Sequence, residues 1–305
     1  KTPERLLSAV LEQKGQLIRQ TRFLEFFPGS DGLNRVGGLD NLKSWLMQRG
    51  KAFVGENQGA GLPPPKGLFL MGVQGCGKSL TAKAVAGLWR LPLLRLDVGA
   101  VQSANLGSPE ENIRQAVRIA ESIAPAVLWI DEIEKAFAPG DERSSGNRLL
   151  NPFLTWLQEK AKPVFVVATA NSIAGLPPEL IRKGRFDEIF FVDLPNAHER
   201  REILAIHLQR FPGTAGMDRE GLARVTEGFS GAELEQVVIA AMFRAVSEGR
   251  AISARDLTDE IAATVPLRDT MEEEIKRLKE WARHRARPAT LDAKRIDFFS
   301  TAPAK

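Results

Sequence analysis

Apolar residues near the start of the chain recur at helical spacing, at Leu6, Leu7, Val10, Leu11, Leu17 and Ile18, then crowd together at Phe23, Leu24, Phe26 and Phe27. This predicts an amphipathic helix leading into a short extended piece, stopped by Pro28-Gly29. Such a helix either packs on its own domain or serves as an arm for a neighbour or a further N-terminal domain. From Val36 to Val192 short apolar runs alternate with helical windows. Strands are predicted over 67–71, 91–97, 126–131, 163–169 and 188–192, and helices over 78–89, 109–124 and 148–160. Short apolar runs separated by helices belong to a parallel sheet covered on both faces. The expected fold class is α/β, a doubly wound parallel sheet.

After Pro195 the strand signals stop. Helices are expected over 197–209, 218–225, 231–248 and 253–264, with a tail helix over 271–286. In that tail Glu272 to Glu274 precede Lys276, Arg277 and Lys279, an order that suits the helix dipole on a solvated surface. The expected division is a helix and connector at 1–32, an α/β domain at 33–195, a small all-helical domain at 196–265, and a C-terminal helix and tail at 266–305.

Composition narrows the classes. The 305 residues are 43% hydrophobic and 26% charged, a globular balance. No apolar run approaches the ~20 residues of a membrane-spanning helix. A single cysteine, Cys76, rules out a disulfide framework and fits a reducing, cytoplasmic compartment. His198, His207 and His284 are too scattered for a histidine-rich metal site. The net charge of +4, with Arg283, Arg285 and Arg287 in the tail, permits a nucleic-acid partner without arguing for one.

The strongest chemical signal is the segment Gly72-Val73-Gln74-Gly75-Cys76-Gly77-Lys78-Ser79, which fits G-x-x-x-x-G-K-[ST] between a predicted strand and a predicted helix. Its glycines let backbone N–H groups turn inward as an anion nest, and the following helix adds its N-terminal partial charge. Lys78 is then placed to reach the β- and γ-phosphates of a nucleotide, and Ser79 to offer its hydroxyl to Mg²⁺. Cys76 sits beside that lysine at a helix start, a setting that favours a reactive thiolate. A second signal is Val127-Leu128-Trp129-Ile130-Asp131-Glu132, an apolar strand ending in two carboxylates where open α/β sheets place their ligands. Asp131 would hold Mg²⁺ through water, and Glu132 would polarise an attacking water. Asn171, ending another apolar strand, is placed to orient that water, and Arg182 or Arg185 to supply charge at a γ-phosphate.

Together these residues resemble the AAA family of ATPases in the narrow sense, over roughly residues 33–265. The resemblance implies that Gly72 to Ser79 and the next residue, Leu80, form the Walker A nucleotide loop, with ATP and Mg²⁺ as cofactors. It makes Asp131 and Glu132 the Walker B pair, with Ser79 and Asp131 toward the metal, and Asn171 the first sensor. Arg182 and Arg185 match arginine fingers, which in this family reach into a neighbouring subunit's site. Gly37 and Gly38 match the adenine wrap, His207 the lid histidine near the ribose, and Gly231 with Ala232 the second sensor, which lacks an arginine in this branch. Three further segments (38–46, 91–99 and 283–288) resemble the group catalogued as a hypothetical open reading frame of algal chloroplast genomes, with its bacterial relatives.

The resemblance implies a ring-forming, Mg-dependent ATPase, most often hexameric, that remodels a protein partner. A nucleotide-gated assembly switch with slow turnover and a motor on nucleic acid are the alternatives. One departure concerns the expected pore loop, where Asn105 and Leu106 stand in place of the usual aromatic and apolar pair. Another is Ser108-Pro109, which replaces the commoner acidic-serine pair.

Overall fold

A computed structural model describes residues 22–27, 32–53, 63–103, 107–137, 145–182 and 184–291. The predicted N-terminal helix and the pore-loop residues Asn105 and Leu106 lie outside these. The chain forms two compact units. The first takes in residues up to Arg35, Leu46–Gly72 and Lys78–Ile189; the second Val36–Trp45, Val73–Gly77 and the chain from Phe190 onward.

In the first unit, β2 (Gly67–Gly72), β3 (Leu93–Leu96), β4 (Ala126–Ile130) and β5 (Val164–Ala170) are parallel, and β1 (Leu24–Phe27) runs antiparallel to β3 at the edge. The order is β1-β3-β4-β5-β2, and β6 (Glu188–Val192) enters as the next strand. In register, Leu128 faces Leu94 on one side and Val166 on the other. Every residue of β2, β4 and β5 is buried, as expected of a parallel sheet covered on both faces. The covering helices are α2 (Lys78–Trp89), α4 (Pro109–Ile123) and α6 (Ser145–Glu159), each overlapping a window predicted from periodicity.

Three α-helices here are absent from the sequence prediction: the short α5 (Ile133–Phe137), and two whose causes differ, one local and one distant. The predicted strand over 91–97 shortens to β3 because Pro92 has no N–H for the ladder and Asp97 caps a short helix, α3 (Val98–Gln102), by accepting the Ala100 N–H at 2.9 Å. The helix α1 (Asp40–Phe53) is shaped by distant partners rather than by its own pattern. Phe53 stacks on Trp89 at 5.2 Å, and the Trp89 indole N–H donates to Leu46 O at 3.2 Å. At Gly50 any Cβ would collide with the Trp89 indole nitrogen, so glycine is required for that approach.

In the second unit the end of β6 pairs in parallel with β7 (Arg287–Pro288), and Asn41 of α1 donates its amide to Pro288 O and Thr290 O at 3.2 and 2.8 Å. The predicted tail helix therefore ends early: α12 spans Glu272–Ala282. Pro288 cannot continue a helix and biases Arg287 toward an extended backbone. Of the tail arginines, Arg285 lies 5.8 Å over Trp281 and Arg287 5.8 Å over Phe190.

The helical core gathers α7 (Ala197–Leu208), α8 (Arg219–Val225), α9 (Gly231–Ser247) and α10 (Ala254–Ala263) around Leu204, Leu234, Val238, Ala241 and Leu257, all fully buried. Between α10 and α12 a single turn, α11 (Leu267–Thr270), is a further element that the pattern did not predict. Capping boxes at Asn196/Glu199, Ser230/Glu233 and Ser253/Asp256 set the starts of α7, α9 and α10. Paired guanidinium contacts from Arg250, at 2.6 Å each, hold the Asp256 carboxyl well below the usual carboxylate range. Arg200, also buried, donates to Pro195 O and Ala223 O at 2.7–3.0 Å. Arg200→Met should leave those carbonyls without their donors, at about 1–3 kcal/mol for each unsatisfied buried group. Urea unfolding followed by circular dichroism checks this, and an unchanged midpoint would contradict it.

Candidate functional site

Within the first unit, the polar residues collect where β4 and β5 end. β4 is apolar throughout and β5 as far as Thr169, so their first polar side chains emerge together at one edge of the sheet, where open α/β folds place ligands. Asp131 Oδ1 accepts two hydroxyls, Ser79 Oγ at 2.9 Å and Thr169 Oγ1 at 2.6 Å. Glu132 Oε1 accepts the Asn171 side-chain amide at 2.9 Å, and its Oε2 accepts the Lys135 ammonium at 2.6 Å. The glutamate contact raises the Lys135 pKa. Lys78 is buried, and its Nζ donates to Gly72 O at 2.8 Å, closing the loop onto the strand that precedes it. Ser79 and Asp131 thus present two hard oxygen donors side by side. That fits Mg²⁺, which takes one or two protein oxygens and completes its shell with phosphate and water.

A third carboxylate lies beneath this group. Glu134 is only 7% exposed; its Oε1 accepts the Asn171 N–H at 3.0 Å, while its Oε2 has no hydrogen-bond partner. Burial raises its pKa above the ordinary value and the Glu132 charge adds to the rise, whereas the Asn171 N–H and Lys78 oppose it. Thr169, Glu134 and Lys135 escaped the sequence reading. Thr169 looked like one more β-branched strand residue, yet it sits two positions before Asn171 and so on the same face of β5.

The other candidate residues of this unit are more dispersed. Leu80 is exposed on α2. Arg182 is exposed, while Arg185 is half-buried and donates Nη1 to Leu154 O at 3.1 Å.

In the second unit, Val73 is buried and donates its N–H to Val192 O at 3.0 Å, and Gln74 is exposed. Gly75 adopts φ +74° and its carbonyl accepts the Ala232 N–H at 2.9 Å. A Cβ on Gly75 would stand 3.1 Å from Ala232 Cβ, and one on Gly231 3.2 Å from Gly75 O. The N-terminus of α9 is therefore seated on the glycine-rich loop. Around Gly77, at φ +88°, an added Cβ would meet open space. The Cys76 thiol is half-exposed, 3.7 Å from Gln74 O. Gly37 approaches Ile203 so closely that a Cβ would come within 2.7 Å of its side chain. Gly38, at φ +66°, donates its N–H to Glu202 Oε2 at 2.8 Å, and Leu39 donates to Glu199 Oε1 at 3.0 Å. His207 is largely buried on α7, with Nδ1 3.6 Å from Glu235 Oε1. Burial pulls its pKa down, the Glu235 carboxylate pushes it up and Arg210 lowers it further.

These halves agree with what known proteins show. Residues 68–194 match the ATPase family associated with various cellular activities (AAA), and residues 217–259 match the AAA+ lid domain. The chain belongs to the AAA family of ATPases, with a P-loop α/β domain and a helical lid. It is 48% identical to an uncharacterized AAA domain-containing protein, ycf46, of Pyropia yezoensis, covering 94% of this chain and 60% of that protein. It is 45% identical to the ycf46 protein of Trieres chinensis, covering 92% of this chain and 57% of that one. A proteasome-activating nucleotidase of Aeropyrum pernix is 37% identical over 64% of this chain and 50% of its own length. The chain thus spans less than two thirds of the length of these relatives. Among the described residues no helix is long and apolar enough to cross a membrane.

Proposed function

We propose that this chain binds ATP with Mg²⁺, hydrolyses it, and uses the cycle within a homo-oligomeric ring, most simply a hexamer, to remodel a protein partner. The observation that carries the reading is the joint placement of Ser79, Asp131, Glu132 and Asn171 by hydrogen bonds of 2.9 Å across the ends of β4 and β5. In this reading 33–195 is the nucleotide-binding domain, 196–265 the lid, 1–32 a connector and 266–305 the tail. Gly72 to Leu80 cradle the phosphates, Lys78 turns its ammonium to the β- and γ-phosphates, and Gly37, Gly38, His207, Gly231 and Ala232 close around the nucleoside. Mg²⁺, bound by Ser79 and Asp131, supplies charge neutralisation at the phosphates. Glu132 polarises the attacking water, and Asn171 orients the Glu132 carboxylate. Arg182 and Arg185 reach the site of the next subunit. The kinship with a proteasome-activating nucleotidase supports a protein as the object of the work.

A nucleotide-gated assembly switch with slow turnover is the second reading. It is favoured by the Lys135 ammonium, which holds one oxygen of the proposed base at 2.6 Å. Turnover by Lys135→Ala separates the two readings: a rise of several-fold supports the switch, and an unchanged rate the motor.

The nucleotide reading also places Cys76 beneath the phosphates. A maleimide should inactivate the nucleotide-free protein through one adduct at Cys76, and saturating ATP should slow that labelling strongly. Cys76→Thr should resist the reagent and keep its hydrolysis. Equal labelling rates with and without ATP, read by mass spectrometry, would contradict the placement of the loop.

A further inference from the structure

We infer that Thr169 is a positioning residue for the hydrolytic pair, setting the Glu132 backbone and the Asp131 carboxylate through one hydroxyl; this rests on the ATPase reading above. A threonine hydroxyl has one proton to give and two lone pairs to receive. At Thr169, which is 1% exposed, the proton goes to Asp131 Oδ1 at 2.6 Å and a lone pair takes the Glu132 N–H at 3.1 Å. The register explains the reach. Ile130 lies opposite Ala168, so the next residue of β5 stands beside the point where the chain leaves β4.

That point is unusual. Glu132 has φ +50°, a left-handed backbone that an L residue with a long side chain adopts only when its surroundings enforce it. Its N–H has left the ladder with β5, and the Thr169 hydroxyl receives it instead. The turn sends the Glu132 carboxylate to Asn171, two residues along the same face of β5. One strand face therefore fixes the pair twice: Thr169 holds its backbone and Asn171 its carboxylate. The bond to Asp131 does the same for a proposed metal ligand, and such outer partners typically govern affinity or activity by about 10–100-fold.

Thr169→Val keeps the shape and branching and removes only the hydroxyl. We expect kcat for ATP to fall about 10–100-fold. Titration with a fluorescent ATP analogue should show unchanged affinity without Mg²⁺ and a reduced gain when Mg²⁺ is added. Thr169→Ser, which restores the hydroxyl, should recover both. If the Val variant fails to fold by circular dichroism, Thr169→Cys, near in volume and a weaker donor, should show the same losses in smaller measure. A Val variant with parental kcat and a parental Mg²⁺ gain overturns the inference, as does a Ser variant as impaired as the Val variant. A parent chain that neither binds nor hydrolyses ATP removes the ATPase reading, and the inference with it. A parent that does both while the Val variant matches it removes the inference alone.

Discussion

Arg182→Ala is expected to bind ATP as the parent does and to lose turnover by about 10³-fold or more, the scale on which an arginine finger acts. The structure separates the two candidate arginines. Arg185 spends part of its guanidinium on Leu154 O of α6, so its removal should disturb packing as well as catalysis. Arg182 is exposed on the segment that follows β5, free of such a structural duty among the bonds seen there, and its loss should act on turnover alone. A finger that serves a neighbour implies a head-to-tail contact, and repetition of that contact closes a ring. Turnover per chain should then rise with protein concentration. Mixing Arg182→Ala with Lys78→Ala should partly restore activity, because each chain supplies what the other lacks. Concentration-independent turnover by a monomer, or a mixture no better than its parts, would overturn the assembly account.

Glu132→Gln carries the second large effect. It keeps the side-chain length and an oxygen for the Asn171 amide, while Lys78 and Ser79 are untouched, so nucleotide affinity should hold. Loss of a positioned base costs about 10²–10⁴-fold in rate. Because the variant would hold ATP without releasing it as products, it is also the form in which a ring and its protein partner should be most readily isolated. Undiminished hydrolysis in this variant would remove Glu132 from the chemistry.

Much of this was legible in the sequence because the relevant signals are local. The strands β2 and β4 are apolar from end to end and β5 is so but for Thr169, and the glycine-rich loop and the two carboxylates follow directly on such strands. What escaped depends on partners far along the chain. The helix α1 is organised by Trp89 against Phe53 and Leu46 and by the 288–290 segment against Asn41, and no window of its own residues contains that information. β7 is two residues long and exists because Phe190 and Phe191 lie beside it. The same holds within the site. Thr169 reads as strand filler until β4 is laid next to β5, and Glu134 reads as a surface acid until its burial against Asn171 is seen. Asp97 shows the reverse case: the N-cap pattern was available locally, yet the apolar run before it drew the strand too far.

The central claim is that this chain is an ATPase whose chemistry resides at the ends of β4 and β5. The most direct test is steady-state release of inorganic phosphate by the unaltered chain against ATP concentration, with Mg²⁺ and with the metal chelated, beside Lys78→Ala. The account predicts saturable release that requires Mg²⁺ and is absent from Lys78→Ala. Release that persists without the metal or without Lys78, or no release at any protein concentration, would contradict it.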